Sequence, residues 1–190
     1  WLGSVNQGLF SVNLDKNIHL YSPTFFSIPK FSINEMFYDN HHQLWLGGEN
    51  NISILKNDNS FINITTETLE QKLIKHYGLK QIKTLDLERL HNGFECFNFH
   101  ADNNGNVWVN TTFGTFCFND KLELLFHQHQ AGGYSIFDNQ NNLYFGGTYS
   151  TILKISELNN WQNSYSYSLK DVNTPRDITN VKKDGDLIWF

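Results

Sequence analysis

Asp102-Asn103-Asn104-Gly105-Asn106-Val107-Trp108-Val109-Asn110-Thr111, followed after three residues by Thr115-Phe116-Cys117-Phe118, decides the fold. The polar run at 102–106 is built from Asn, Asp and Gly, which tolerate the positive φ values of a tight antiparallel connection. Apolar stretches flank it: Phe97-Asn98-Phe99-His100-Ala101 before, Val107-Trp108-Val109 after. The reading is strand, turn, strand, short loop, strand, a meander in which each segment pairs with the one before it.

Read outward, the phrase recurs. Met36-Phe37-Tyr38-Asp39 leads through a turn at 40–43 into Leu44-Trp45-Leu46-Gly47-Gly48 and Ile52-Ser53-Ile54-Leu55. Tyr134-Ser135-Ile136-Phe137-Asp138 leads through 139–142 into Leu143-Tyr144-Phe145-Gly146-Gly147 and Ile152-Leu153-Lys154-Ile155. A broken copy opens at Trp1-Leu2-Gly3-Ser4 and continues in Gly8-Leu9-Phe10-Ser11-Val12. A last one runs from Ile178 through Lys183-Asp184-Gly185-Asp186 to Leu187-Ile188-Trp189-Phe190. Equivalent aromatics are 44 residues apart from Trp1 to Trp45, 36 from Trp108 to Tyr144 and 45 from Tyr144 to Trp189, while Trp45 to Trp108 is 63 and carries an insertion. A period of roughly 40–50 residues with several strands per unit is the signature of propeller blades.

Each unit reads as four strands. The lead-in is A, the aromatic strand is B, the strand after the Gly is C, and D is Phe61 to Ile64, Leu122 to Phe126 or Tyr165 to Leu169. A sheet with one wet face alternates apolar and polar residues; the nearly continuous apolar runs of A and B imply burial on both faces, as between stacked blades. The expected fold is all-β, a propeller fragment of about four to five four-stranded antiparallel blades with a short helical insertion. As one propeller region over 1–190 it divides into a partial blade 1–31, a blade 32–64, the insertion 65–92, blades 93–130 and 131–170, and a partial blade 171–190. Both ends of the chain fall on a strand B, so the array either closes as a small ring or leaves open edges that invite self-association. Truncating Trp45 or Trp108 to Ala is expected to cost on the order of 3–5 kcal/mol.

In the insertion, Leu69, Leu73 and Tyr77 recur at four-residue spacing with Glu67, Glu70, Lys72 and Lys75 on other faces, the pattern of an amphipathic helix. Thr66 is the expected cap and Gly78 the expected stop. The insertion joins a strand D to the next strand A, on the side of the array where the B–C loops lie.

Composition bounds the chemistry. Aromatics make up 15% of the 190 residues, which favours pleated, buried structure. The formal charge of -5 gives phosphates no basic patch, so no nucleic-acid partner is expected, and no membrane contact from this segment itself. Cys96 and Cys117 sit among aromatics and read as buried thiols. His127 and His129 alternate on one strand, but a metal needs further ligands from elsewhere, and no metal or other cofactor is expected. Glu35, Glu49, Glu95 and Asp177 are carboxylates that could gather on one face, yet no nucleophile elbow, phosphate loop or zinc motif accompanies them.

The phrase of Asp, Asn/Gly-rich turn, Leu-Trp-Leu-Gly-Gly and a second apolar strand resembles the two-component regulator propeller repeat. It is carried by Asp39 to Leu55, Asp102 to Phe118 and Asp138 to Ile155, with a further start at Asp184 to Trp189. Tyr144 in place of Trp, Asn110-Thr111 in place of the small pair, and the insertion depart from the pattern. The resemblance implies a non-catalytic, ligand-sensing segment of a bacterial signal-transduction regulator, lying in the periplasm or otherwise outside the inner membrane. The alternative is a propeller-fold hydrolase or lyase acting on a polar or carbohydrate substrate. Either way the ligand, a polar small molecule or oligosaccharide, is expected at the rim formed by strand A starts and B–C loops: Glu49, Asn50, Glu95, Asn110, Thr111, Tyr134, Thr148, Tyr149 and Arg176.

Overall fold

A computed structural model of the chain describes residues 2–4, 8–12, 18–21, 33–78, 87–128, 134–140, 142–146, 151–155, 165–168 and 182–189. The elements follow the repeat. Strands β1 (Leu2–Ser4), β2 (Gly8–Val12) and β3 (Ile18–Tyr21) form a three-stranded antiparallel sheet. Strands β4 (Ile33–Tyr38), β5 (Leu44–Gly48), β6 (Asn51–Leu55) and β7 (Phe61–Thr65) form a four-stranded meander in chain order. Helices α1 (Thr66–Tyr77) and α2 (Leu87–His91) follow. A second meander holds β8 (Cys96–Ala101), β9 (Val107–Thr111), β10 (Thr115–Phe118) and β11 (Leu124–Gln128). A third holds β12 (Tyr134–Phe137), β13 (Leu143–Gly146), β14 (Thr151–Ile155) and β15 (Tyr165–Ser168), and a hairpin of β16 (Lys182–Asp184) and β17 (Leu187–Trp189) closes the list. The chain divides into two compact units, 1–99 and 100–190, with the boundary inside β8.

Burial matches the two-sided reading. All five positions of β5, β6 and β9 and all four of β10 are buried, whereas the D strands β7 and β11 keep part-exposed positions. Among the described residues the largest wholly enclosed side chains are Trp45 and Trp108. Trp45 lies against Phe99 with ring centroids 6.2 Å apart, and Trp108 against Phe126 at 5.3 Å and Phe137 at 5.4 Å.

In each of the three four-stranded meanders one carboxylate organises the A–B turn. Asp39 Oδ1 accepts the backbone N–H of His41 and Gln43 at 2.9 and 2.8 Å, while its Oδ2 accepts the indole N–H of Trp45 at 2.8 Å. Asp102 does the same for Asn104, Asn106 and Trp108, at 2.9, 3.0 and 3.2 Å, and also takes Asn106 Nδ2 at 2.8 Å. At Asp138 the donors are Gln140, Asn142 and the phenol of Tyr144, which reaches Oδ2 at 3.2 Å. Tyr144 therefore preserves the one polar function of the Trp it replaces. Burial alone pushes the Asp138 carboxyl up, but these donors outweigh it and hold the group below the usual carboxylate range. The hairpin at 182–189 departs from the plan: Asp184 pairs directly with Leu187 across a two-residue turn with Gly185 at φ 59, so the five-residue loop that seats the carboxylate is missing.

Two boundaries differ from expectation. The D strand expected over Leu122 to Phe126 is Leu124–Gln128, because Leu122 occupies the turn at φ 60, where Asn119 Oδ1 collects the N–H groups of Lys121 and Glu123. The helix cap is Thr65, one residue before Thr66: it ends β7, and its hydroxyl accepts the Thr68 N–H at 3.4 Å and donates to Glu67 Oε2 at 2.6 Å. Gly78 ends α1 at φ 76, as expected. Leu69 and Leu73 of α1 and Leu90 of α2 are fully buried, and Glu70 meets His91 at 3.1 Å across the two helices. The second helix had no clear periodic signal. Leu169, at the end of the expected last D strand, lies outside the described residues.

Candidate functional site

The expected rim residues separate into three groups. Glu49, Asn50 and Glu95 come together in the first unit and are exposed. Glu49 and Glu95 face each other as an antiparallel bridge that ties the end of β5 to the approach to β8. Asn50 sits at φ 58, in the left-handed region that Asn tolerates, and clamps Phe94 from both sides: its N–H donates to the Phe94 carbonyl at 2.7 Å, and its Oδ1 accepts the Phe94 N–H at 2.8 Å. Asn34, on β4, donates its side-chain amide to Glu95 Oε1 at 2.8 Å. Glu35 pairs with Gly47, and its charge, like that of Glu95, bears on the Cys96 thiol. Burial raises the Glu35 carboxyl above its ordinary range, and pushes Cys96 up to about 12. The thiol is thus a neutral, apolar-like group, as its aromatic surroundings suggested.

Asn110 and Thr111 are wholly enclosed, with 0% exposure. Asn110 stands eight residues after Asp102, where Gly47 stands after Asp39. At that position Gly47 lies under the next A strand so closely that a Cβ on it would fall 2.6 Å from Cys96 Cβ and from the Phe99 ring. Asn110 instead uses its amide across the equivalent junction, donating to Ser135 Oγ at 2.7 Å and accepting the Thr115 hydroxyl at 2.6 Å. Thr111 donates to the Gly114 carbonyl at 2.8 Å and accepts the Phe113 and Gly114 N–H groups, which fixes the B–C loop. Asn110 and Thr111, expected at the rim as part of a B–C loop, have their polar atoms engaged within the protein. Tyr134 is part-buried at the head of β12, and Thr148, Tyr149, Arg176, Asp177 and His129 lie outside the described residues.

Ser135 Oγ is 3.2 Å from His100 Nε2, the spacing of a nucleophile and its base. Ser135 is 1% exposed, so a substrate has no approach to it in this arrangement. No group of three or more His, Cys, Asp or Glu suited to a metal ion occurs among the described residues, and no described helix is long and apolar enough to cross a membrane.

Comparison with known proteins places the architecture. No protein-family model matches the sequence, and neither does a curated protein. Solved structures do. Two extracellular domains assigned to hybrid two-component systems of B. thetaiotaomicron align over 99% and 100% of this chain, with TM-scores of 0.67 and 0.68 at 16% and 14% identity. The structure of streptogramin B lyase aligns over 93% with a TM-score of 0.59 at 12% identity.

The fold is that of a β-propeller. The propeller chain spans 24% of the length of each two-component relative and 52% of the lyase. Against them the described meanders are propeller blades, and the carboxylate turn is what recurs from blade to blade. At these identities the likeness establishes architecture alone.

Proposed function

We propose that this chain is part of an extracytoplasmic, ligand-sensing propeller of a bacterial signal-transduction regulator, a relative of the two-component regulator propeller repeats. The observation that carries the reading is the joint one of fold and motif: whole-chain likeness to extracellular domains of two-component systems, on top of the Asp-turn-Leu-Trp phrase. The rim supports it. Exposed Glu49, Asn50 and Glu95, with Asn34, present carboxylate and amide groups on a pre-formed backbone bridge, suited to a polar small molecule or oligosaccharide rich in hydroxyl donors.

Thermal shift and calorimetry against a panel of neutral and acidic oligosaccharides test this. A ligand that raises the melting temperature, and whose effect falls at least tenfold in affinity in the Glu49→Gln, Glu95→Gln double variant, is the expected result. Binding that is indifferent to both substitutions would remove the rim from the proposal.

A second reading is an enzyme on a polar or carbohydrate substrate. The likeness to streptogramin B lyase and the desolvated Glu35 carboxyl favour it. Mass spectrometry of the same oligosaccharides after incubation separates the two: unchanged sugar supports sensing, and cleavage lost in Glu35→Gln supports catalysis.

A further inference from the structure

In the second unit the contact between Asn110 and Ser135 continues to a histidine. Ser135 Oγ bonds His100 Nε2, and the imidazole is wedged between Trp108, stacked at 6.2 Å and 24°, and Phe137, tilted at 5.3 Å. The other ring nitrogen, Nδ1, is enclosed and meets no hydrogen-bond partner among the described residues. A neutral ring carries one N–H, whereas a protonated ring carries two N–H donors and a charge. Whichever nitrogen holds the proton in the neutral ring, the protonated ring carries an N–H at Nδ1 that has no acceptor among the described residues.

The surroundings offer little compensation. The nearby charge is Asp102, in the turn that follows β8, whose oxygens already serve Asn104, Asn106 and Trp108. From β9 the ring meets Trp108, and from β12 Ser135 and Phe137, none of them charged. Cys117, on β10, also feels Asp102, and burial holds its thiol protonated and neutral. Burial therefore outweighs the attraction of Asp102 and lowers the His100 pKa from 6.5 to about 4.

We propose that His100 is an acid-sensitive latch whose protonation releases β12 from its packing against β8 and β9. Opening hydrates the ring and returns it to its ordinary affinity for protons. The opened form then takes up a proton below about pH 6.5, while the closed form resists until about pH 4. The advantage of the closed form is complete above pH 6.5 and is lost as pH falls through that window. Between pH 7.0 and 4.5 these two values raise the opening equilibrium about 60-fold.

Native-state hydrogen exchange of the β12 amides, corrected for intrinsic rates, reads the opening directly, and the His100 imidazole shifts read its charge in the same sample. The expected result is a loss of β12 protection of about 60-fold from pH 7.0 to 4.5, with His100 shifts at their neutral values down to about pH 5. His100→Asn, which cannot take a proton, is expected to flatten the pH dependence. The idea is overturned if His100 titrates near 6.5 with β12 protection constant, or if the Asn variant loses protection over the same interval. Should the variant not fold, the shifts and exchange of the unsubstituted chain decide alone.

Discussion

Replacing Asp102 by Asn keeps the shape of the side chain and removes half of its accepting capacity. The native carboxylate serves two backbone N–H groups through Oδ1, and the Asn106 amide and the Trp108 indole through Oδ2. With the new amide oxygen at the Oδ1 site, its NH2 group confronts the Asn106 and Trp108 donors; the reverse orientation confronts the two backbone donors. Either way two donors lose their acceptor, and the Trp108 ring is 1% exposed, so water cannot restore the indole bond. At about 1–3 kcal/mol for each enclosed donor left unmet, with the Asn106 amide partly hydrated, the expected destabilisation is about 2–4 kcal/mol. Urea unfolding followed by tryptophan fluorescence measures it, as a midpoint lowered by about 1–2 M for a slope near 2 kcal/mol/M. Trp108→Phe removes the indole donor, and in that background Asp102→Asn should cost about 1–2 kcal/mol less. Strict additivity of the two changes would refute the coupling between turn and strand, and a loss below about 0.5 kcal/mol would refute the account of the turn itself.

Gly47→Ala places a methyl 2.6 Å from Cys96 Cβ and the Phe99 ring, so about 1–3 kcal/mol of destabilisation is expected on urea melts. Thr65→Ala should cost about 1 kcal/mol through loss of the α1 cap, and Thr66→Ala a few tenths, a contrast that helix-region hydrogen exchange can read. Cys96, enclosed and with its thiol pushed up to about 12, should resist alkylation by iodoacetamide at pH 8 in the folded chain and react at once in denaturant. Lowering the pH should bring out the opposite response in Glu35: its carboxyl binds a proton more readily folded than unfolded, so below its raised value it adds stability, and Glu35→Gln should remove that increment from the acid limb of the melt.

Much of the architecture was legible. Repeated turn chemistry and uninterrupted apolar strands located the blades, because both are local properties of a few adjacent residues. The role of the recurring Asp was only half visible. It was read as a turn former, whereas its spacing of six residues to Trp45, Trp108 and Tyr144 already held the link to strand B. The rim was harder. Glu49, Asn50 and Glu95 do converge, since loops flanking neighbouring strands fall at one end of the sheets. Asn110 looked similar, but its partner Ser135 is 25 residues away, and nothing local distinguishes an amide that faces solvent from one that joins two sheets. The shift of the cap from Thr66 to Thr65 has a like cause: adjacent threonines offer the same side chain, and the end of β7 chose between them.

The junctions after β5 and β9 are written in different chemistry, a bare Gly47 beneath the Phe99 ring in one and an Asn110-to-Ser135 amide bond in the other. Within each blade the Asp turn is self-sufficient over ten residues or fewer, so a copied blade arrives with its first hairpin already specified. Its seams are not. A blade moved one place along would set an aromatic ring against an amide, or leave a glycine facing a serine across an empty space. These two seams therefore act as addresses, each matched to one neighbour, on modules whose turns are alike.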